Sequence, residues 1–195
     1  MQKLLKQTEN YLQMKTDLSK FNNDWYHPGS KAKRAIWYLF NAAFLLNPMN
    51  PFSGLKKGVL RMFGAKIGRG VVIKQRVNVK YPWKLEVGDF SWIGEDVWID
   101  NLATVKIGNH CCISQGALLL CGNHNYKKVA FDLMIGEIIM EDGSWVGAKG
   151  IVTGGVTIKS HAILSAGSVT SKNLDSYWIY RGNPAEKVIE RKIES

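Results

Sequence analysis

The middle of this 195-residue chain places an aliphatic residue at every sixth position. The repeat begins at Ile67, gains two residues after Leu85 and again after Val105, and resumes at Val146 after an interruption. Its aliphatic positions are Ile67, Ile73, Val79, Leu85, Val87, Ile93, Ile99, Val105, Ile107, Ile113, Leu119, Val146, Val152, Ile158 and Leu164. A period of six fits neither a helix of 3.6 residues per turn nor a simple alternating strand over about fifty residues.

Small residues recur at fixed places within these hexads. Glycine often follows the aliphatic residue, at Gly68, Gly88, Gly94, Gly108 and Gly147. Short strands joined by tight turns explain this pattern, because one aliphatic side chain per strand points inward and glycine tolerates the sharp bends. Three hexads make one triangular coil, and stacked coils pair their strands about 4.8 Å apart. The sequence therefore predicts an all-β solenoid, a parallel β-helix whose hand the period does not fix.

The pattern divides the chain into three segments. Residues 1–62 are predicted to be helical or extended, and residues 63–184 to form the β-helix. Between about 123 and 137 the six-residue spacing is lost, which indicates a loop that leaves the solenoid and is a natural place for function. Residues 185–195 are charged and amphipathic, and we expect a short C-terminal helix that caps the solenoid.

The N-terminal segment combines a basic run with apolar residues. Lys31, Lys33 and Arg34 precede residues 35–46, which predict one helix, and residues 55–63 predict a second. The apolar run is shorter than the roughly 20 residues that cross a bilayer, and residues 1–10 do not resemble a secretory signal, so we expect a cytoplasmic protein. The aromatic residues of the first helix belong either to a core or subunit contact, or to a peripheral contact at the inner face of the cell membrane.

Charge, cysteine and histidine content narrow the function classes. The formal net charge of +10 favours anionic partners, but the basic residues are dispersed and no nucleic-acid motif is present. Cys111, Cys112 and Cys121 have neither zinc nor disulfide spacing, which predicts reduced structural thiols. The four histidines contain no compact ligand pair, so we expect no catalytic metal.

Several short motifs are more specific than the hexads. They are Phe63-Gly-Ala-Lys-Ile-Gly68, Tyr81-Pro-Trp83, Trp92-Ile-Gly-Glu95, Val97-Trp-Ile-Asp-Asn101 and Gly182-Asn-Pro-Ala185. Through them, from about Trp25 onward, the chain resembles the bacterial hexapeptide-repeat O-acetyltransferases, specifically the colanic-acid-type exopolysaccharide enzymes. The resemblance implies a left-handed β-helix, acetyl-CoA as co-substrate, a sugar or lipid-linked oligosaccharide as acceptor, and a homotrimer with active sites between neighbouring β-helices.

His124 is the candidate general base. It lies at the mouth of the predicted loop and matches the histidine of galactoside-type and related acetyltransferases. A neutral imidazole can take the proton of a sugar hydroxyl as this attacks the thioester carbonyl. The resemblance places an oxyanion-stabilising N–H at Ala148, after Trp145-Val-Gly147. The other histidines, His27, His110 and His161, are predicted to be structural or solvent-facing.

The resemblance also implies where the two substrates bind. Acceptor contacts are expected around Asp96, Asp100 and Trp145, although Asp96 is equally compatible with an ordinary exposed turn. The pantetheine arm of coenzyme A is expected along the later coils, with Lys172 as phosphate partner and Lys187 or Arg191 assisting. The predicted coenzyme A residues are Gly147, Ala148, Gly154, Ala166, Gly167, Ser171 and Lys172.

Two function classes are consistent with these observations. The first is an acetyl-CoA-dependent O-acetyltransferase that acts on a sugar hydroxyl in exopolysaccharide biosynthesis, by direct transfer without a covalent enzyme intermediate. The second is a noncatalytic scaffold or binding protein that uses the solenoid only as a surface. The intact Asn123-His124-Asn125 sequence favours the enzyme.

Overall fold

A computed structural model describes residues 14–194, which divide into two units. Residues 14–27 and 123–134 form the first unit, and residues 28–122 and 135–194 form the second. The second unit carries the β-helix together with two helices, α1 (Lys31–Phe40) and α2 (Ser53–Met62). A π-helical turn, Asn41–Leu45, continues α1. The two helices predicted from the sequence are therefore confirmed.

The strands of the β-helix are short. They are β1 (Lys66–Ile67), β2 (Val72–Ile73), β3 (Asn78–Val79), β4 (Leu85–Val87), β5 (Trp92–Ile93), β6 (Trp98–Asp100), β7 (Val105–Ile107), β8 (Cys112–Ile113), β9 (Leu118–Leu120), β10 (Gly122–His124), β11 (Leu133–Ile135), β12 (Ile138–Met140), β13 (Trp145–Val146), β14 (Ile151–Thr153), β15 (Thr157–Ile158), β16 (Ile163–Leu164), β17 (Val169–Thr170), β18 (Trp178–Gly182) and β19 (Ala185–Glu190). Strands β10 and β11 pair with each other in a separate two-stranded sheet.

The other strands form three sheets, because the chain turns a corner after each strand and returns to the same sheet one coil later. The sheet orders are β1-β4-β7-β12-β15, β2-β5-β8-β13-β16-β18-β19 and β3-β6-β9-β14-β17. Within these three sheets of the described chain, strands of successive coils pair parallel, whereas β18 and β19 pair antiparallel. The predicted solenoid is therefore confirmed.

The register explains the two-residue insertions in the repeat. Lys66 pairs with Glu86 in the next coil, 20 residues along the chain. Three hexads account for eighteen of these residues, and the extra two lengthen β4, from which Leu85 and Val87 both point inward. Every aliphatic residue of the repeat is buried except Ile67, which is half-buried. The interior of the solenoid is thus a continuous aliphatic column.

His110 and His161 lie in turns with positive φ, at 53° and 58°. The His110 ring stacks on Phe90, with ring centroids 5.3 Å apart, and the His161 ring stacks on Tyr177 at 4.7 Å. Left-handed backbone is unfavourable for such residues, and stacking between successive coils compensates part of that cost. Both contacts agree with the structural role expected for these two histidines.

The two helices cover the open edge of the first coil. An uncovered edge would present unpaired backbone groups to solvent or to another chain. Trp37 Nε1 donates to the carbonyl of Val79 in β3 at 2.9 Å. Arg61 Nη2 donates to the carbonyl of Ile67 in β1 at 2.8 Å. Two of the three edge strands therefore receive a side-chain donor from the helices.

Lys56 of α2 provides the hydrogen-bond donor for the third edge strand, β2. Its side chain is fully buried, and Nζ donates to the carbonyl of Lys74, just beyond β2, at 2.9 Å. A longer contact of 3.5 Å reaches the carbonyl of Ile73. Burial lowers the pKa of the Lys56 ammonium, although the charge of Glu95 opposes that shift. This lysine is therefore a structural cap rather than a solvated cation.

The predicted C-terminal helix is wrong. Residues Ala185–Glu190 form strand β19, which pairs antiparallel with β18 after a turn in which Gly182 has φ 104°. Strand β18 is the last parallel strand of its sheet and would otherwise have an open edge. Pairing of that edge overrides the helical propensity of a charged, amphipathic segment.

No helix among residues 14–194 is long and apolar enough to cross a membrane.

Replacing Lys56 with alanine should destabilise the protein by about 2 kcal/mol or more, because two backbone carbonyls lose their donor and a cavity is left. The free energy of unfolding from chemical denaturation measures the effect. Lys57→Ala, at the neighbouring half-buried position, is the matched control. Equal losses of stability in the two variants would contradict the capping role of Lys56.

Candidate active site

The predicted loop leaves the coil after β9. Asn109 and Asp142, in adjacent coils, are 33 residues apart instead of 20, and the backbone N–H of Asn109 donates to Asp142 Oδ1 across that gap. Strands β10 and β11 begin and end this excursion. The extra residues therefore leave the β-helix register undisturbed.

Asn125 organises the turn inside the loop. Its N–H donates to the carbonyl of Asp132 at 2.8 Å, and its carbonyl accepts from the N–H of Lys128 at 3.0 Å. The side chains of Lys128 and Asp132 form an ion pair at 2.9 Å. The N–H of Asp17 donates to the carbonyl of Val129 at 2.9 Å. These bonds hold the segment that follows His124 in a closed turn.

His124 is the last residue of β10 and is half-buried. Its Nδ1 lies 2.9 Å from the carbonyl oxygen of Phe131. A carbonyl can only accept, so this hydrogen bond assigns the proton of the neutral ring to Nδ1 and leaves the lone pair on Nε2. Such an arrangement prepares Nε2 to act as a base.

Two phenylalanines flank the His124 ring. The Phe131 ring stacks on it at 4.5 Å with planes 9° apart, and the Phe21 ring is tilted at 5.7 Å. Stacking fixes the orientation of the imidazole, which a general base requires. No periodic signal predicts these neighbours, because they lie outside the hexads.

Ala148 follows the turn at Trp145 and Gly147. Its N–H has no hydrogen-bond partner among residues 14–194, whereas its carbonyl accepts from the N–H of Gly167 at 2.8 Å. The corresponding N–H groups of Gln115 and Ala166 also lack a partner in the described part of the chain. Each of these three stacked turns, which we call a column of turns, therefore has a backbone N–H that is available to donate. Such a donor can stabilise an oxyanion.

Gly147 is needed where two coils approach closely. A Cβ atom at this position would lie 2.5 Å from the backbone nitrogen of Ala166. The Trp145 ring is exposed, and its Nε1 donates to Ser114 Oγ at 2.8 Å. The structure thus brings Gly147, Ala148, Ala166 and Gly167 together on one corner of the solenoid.

The two candidate aspartates lie at different corners. Asp96 is in the same column of turns as Ala148, two coils earlier, and forms a two-point ion pair with Arg76 at 2.6 and 2.7 Å. The hydrogen bonds from Arg76 lower the pKa of Asp96. Asp100 ends β6, is buried, and pairs with Lys80 at 2.7 Å. The 20-residue register could have identified both cationic partners from the sequence.

The candidate coenzyme A residues extend beyond that corner. Ser171 and Lys172 are exposed after β17, and the Lys172 ammonium has no partner among residues 14–194. A Cβ at Gly154 would lie 2.6 Å from the carbonyl oxygen of Cys121, so coils also pack tightly there. Gly154 and Lys172 are not part of the cluster around Ala148.

The two predicted assisting cations already have structural partners. Lys187 donates to Asp175 at 2.8 Å and, together with Lys159, lowers the pKa of that carboxyl to about 2. Arg191 donates to the carbonyls of Gly143 and His161 at 2.9 and 3.0 Å. Lys172 is therefore the better candidate for a phosphate.

The described residues contain no cluster of three or more histidine, cysteine or acidic side chains that could hold a metal ion. The cysteines are unpaired, and Cys111 and Cys121 are buried. Burial raises the pKa of the Cys121 thiol to about 11. A thiol in this state is a poor nucleophile.

Comparison with known proteins identifies close relatives. The chain is 34% identical over 176 residues to the putative colanic acid biosynthesis acetyltransferase WcaF of Escherichia coli, covering 90% of this chain and 97% of that protein. It is 21% identical over 143 residues to the galactoside O-acetyltransferase of E. coli, covering 69% and 68% of the two chains. No protein-family model matches the chain.

Solved structures give the same fold. A hexapeptide-repeat acetyltransferase from Vibrio cholerae superposes with a TM-score of 0.76 at 19% identity, covering 84% of this chain and 93% of that one. A galactoside acetyltransferase in complex with coenzyme A has a TM-score of 0.72 at 18% identity, covering 84% and 89%. The architecture is thus the left-handed parallel β-helix.

The hydrogen bond to Phe131 predicts that neutral His124 carries its proton on Nδ1. The side-chain ¹⁵N chemical shifts of the imidazole distinguish the two tautomers, and His124→Gln assigns the signal by its disappearance. Predominance of the Nε2-protonated form in the neutral protein would contradict this geometry.

Proposed function

Because the chain belongs to the hexapeptide-repeat acetyltransferases and uses acetyl-CoA, we propose that it acetylates a sugar hydroxyl in exopolysaccharide biosynthesis, with His124 as the general base. The hydrogen bond of His124 Nδ1 to the Phe131 carbonyl is the observation that carries this proposal, since it leaves Nε2 able to accept a proton. The relationship to WcaF supports a polysaccharide acceptor.

The proposed reaction is a direct transfer. His124 Nε2 takes the proton from the sugar hydroxyl while the hydroxyl oxygen attacks the thioester carbonyl of acetyl-CoA. The tetrahedral intermediate collapses by breaking the carbon–sulfur bond, and the imidazolium returns the proton to the departing thiolate. The products are the acetylated sugar and free coenzyme A. The buried state of Cys111 and Cys121 supports a route without an acetylated thiol.

The N–H of Ala148 is the proposed oxyanion donor. It is available because the turn leaves it unpaired among the described residues. A preorganised backbone donor of this kind stabilises charge that develops only in the transition state. Gly147 and Gly154 let the coils pack closely along the proposed pantetheine path, and the ammonium of Lys172, which has no partner in the described part of the chain, is the proposed phosphate contact.

We propose a homotrimer in which neighbouring β-helices contribute to each active site. Exposed tryptophans on one outer face support an interface, because Trp92 and Trp145, which belong to the same sheet, are 59% and 41% exposed in the single chain. Large aromatic side chains are enriched in such contacts. Asp96, Asp100 and Trp145 remain proposed acceptor residues, but Asp96 and Asp100 would have to exchange or share their cationic partners.

A noncatalytic scaffold is the alternative function. It requires the solenoid surface but neither the oriented His124 ring nor a free oxyanion donor. The free N–H recurs in neighbouring turns, so it is the oriented His124 ring that favours the enzyme.

His124→Ala should reduce acetyl transfer by about 10² to 10⁴-fold, because it removes the general base. Release of free thiol from acetyl-CoA in the presence of candidate glycans measures the rate. His110→Ala is the matched control, since His110 is an exposed turn residue whose ring only stacks on Phe90. Thermal stability and light scattering should show that both variants fold and assemble alike. Wild-type transfer by a folded His124→Ala variant would refute the mechanism.

We further propose that the protein is cytoplasmic and contacts the inner face of the membrane through α1, α2 and their linker. This surface exposes apolar side chains, including Leu39, Met49 and Phe52, which are 66%, 84% and 69% exposed. Residues 31–62 contain six lysines and arginines and no acidic residue, and all six basic residues except the buried Lys56 are at least partly exposed. Apolar side chains beside excess positive charge fit an anionic lipid surface.

The double variant Met49→Ser/Phe52→Ser should weaken binding to phosphatidylglycerol vesicles by roughly tenfold per side chain, because apolar area no longer enters the interface. Vesicle co-sedimentation measures this, and higher salt should weaken wild-type binding. Val188→Ser/Ile189→Ser, which changes two exposed apolar residues of β19, is the matched control. Equal binding by the two double variants, or equal binding to neutral vesicles, would contradict the proposal.

A further inference from the structure

A cavity of about 320 Å³ lies where α1 and its π-helical turn meet strands β3 and β6. Its walls include Arg34, Tyr38 and Asn41 from the helical side, and Lys80, Tyr81 and Trp98 from the β-helix. Aromatic walls with a few convergent polar groups are typical of small-molecule sites. The cavity contains none of the residues so far proposed to bind either substrate.

Two polar atoms at this cavity lack a partner. Asn41 is 93% buried; its Nδ2 donates to Asn78 Oδ1 at 2.8 Å, but its Oδ1 accepts no hydrogen bond among residues 14–194. Arg34 Nε is likewise buried without a partner in the described part of the chain. Each such group is costly, at about 1–3 kcal/mol, unless something compensates it. Both atoms have almost no solvent-accessible surface, so a ligand would reach Arg34 first through its terminal guanidinium nitrogens.

The charge of the cavity wall is positive. No acidic residue lines it, and Lys80 is the only lining cation with a carboxylate partner, Asp100 at 2.7 Å. Arg34 therefore contributes a guanidinium that no carboxylate neutralises among residues 14–194. A guanidinium is suited to hydrogen-bonded contacts with oxyanions.

The aromatic walls of the cavity can pack against a ligand ring that has apolar faces. The Trp98 side chain is 46% exposed and the Tyr38 side chain is 71% exposed, so both rings are accessible. Flat aromatic surfaces pack against the C–H faces of a sugar.

We propose that this cavity binds a sugar that carries an oxyanion, with Arg34 contacting the anion and Trp98 contacting the ring. A phosphate ester and a uronic acid are the two sources of that chemistry. The site would hold the anionic part of the acceptor, and in that respect it rests on the proposed function. Under this proposal the acceptor sugar must carry a negative charge. Neither the general base nor the oxyanion donor requires such a charge.

Calorimetric titration of the whole protein without acetyl-CoA tests the site. Glucose 1-phosphate, glucuronate and glucose are the probes. At least one anionic probe should bind tenfold or more tightly than glucose, and the stronger of the two identifies the anion. Arg34→Gln should weaken binding of that probe about tenfold and leave glucose unchanged, because a charge-assisted hydrogen bond is lost. Arg69→Gln is the matched control, since Arg69 is exposed and paired with Asp89.

Three results would overturn the proposal. They are no binding of either anion at about 10 mM, glucose binding as tightly as both anions, and equal affinities of Arg34→Gln and Arg69→Gln for the anionic probe. Tyr38→Glu provides a second variant should Arg34→Gln fail to fold, because it places a carboxylate at the cavity from an exposed position and should also weaken anion binding. Binding is measured without transfer, so a failed acetylation assay leaves these outcomes unaffected.

Discussion

Backbone pairing between successive coils controls side-chain burial, glycine placement and the end caps of this protein. Each interior strand bonds to the strand one coil before and one coil after, so the inward side chains stack directly on one another. A coil has no separate core, and its aliphatic residues are buried only because neighbours cover them. This coupling explains why glycine occupies close approaches such as Gly147, where a side chain would collide with the next coil.

At both ends of the solenoid this pairing leaves edge strands with unpaired backbone groups. The chain covers the two ends in different ways. At the first coil, side-chain donors from Trp37, Lys56 and Arg61 reach the carbonyls of three edge strands. At the last coil, β19 folds back and pairs with β18. The helical cap leaves its outer surface apolar and basic, and it encloses the cavity beside β3 and β6. A structural requirement thereby produces the surfaces proposed for membrane and acceptor contact.

Register also decides which charged groups are available for function. Basic residues of the first coil lie one coil from acidic residues of the second, and four ion pairs result: Lys66 with Glu86, Arg69 with Asp89, Arg76 with Asp96, and Lys80 with Asp100. Two of these pairs involve Asp96 and Asp100, the carboxylates that the sequence predicted as acceptor contacts. His124, in contrast, lies outside the ladder, and its ring nitrogen Nε2 is left with a lone pair by the hydrogen bond of Nδ1.

Four features can be predicted from the amino-acid sequence: the solenoid, its two-residue insertions, the excursion that begins near His124 and the two N-terminal helices. These features follow from local period and composition, because a hexad encodes its inward residue and its turn without reference to distant parts. Three other features depend on long-range packing: residues 185–190 form a strand, Lys56 is a buried cap, and Phe131 orients His124. Edge pairing, burial and ring stacking each join residues that have no periodic relation, so the repeat could not reveal them.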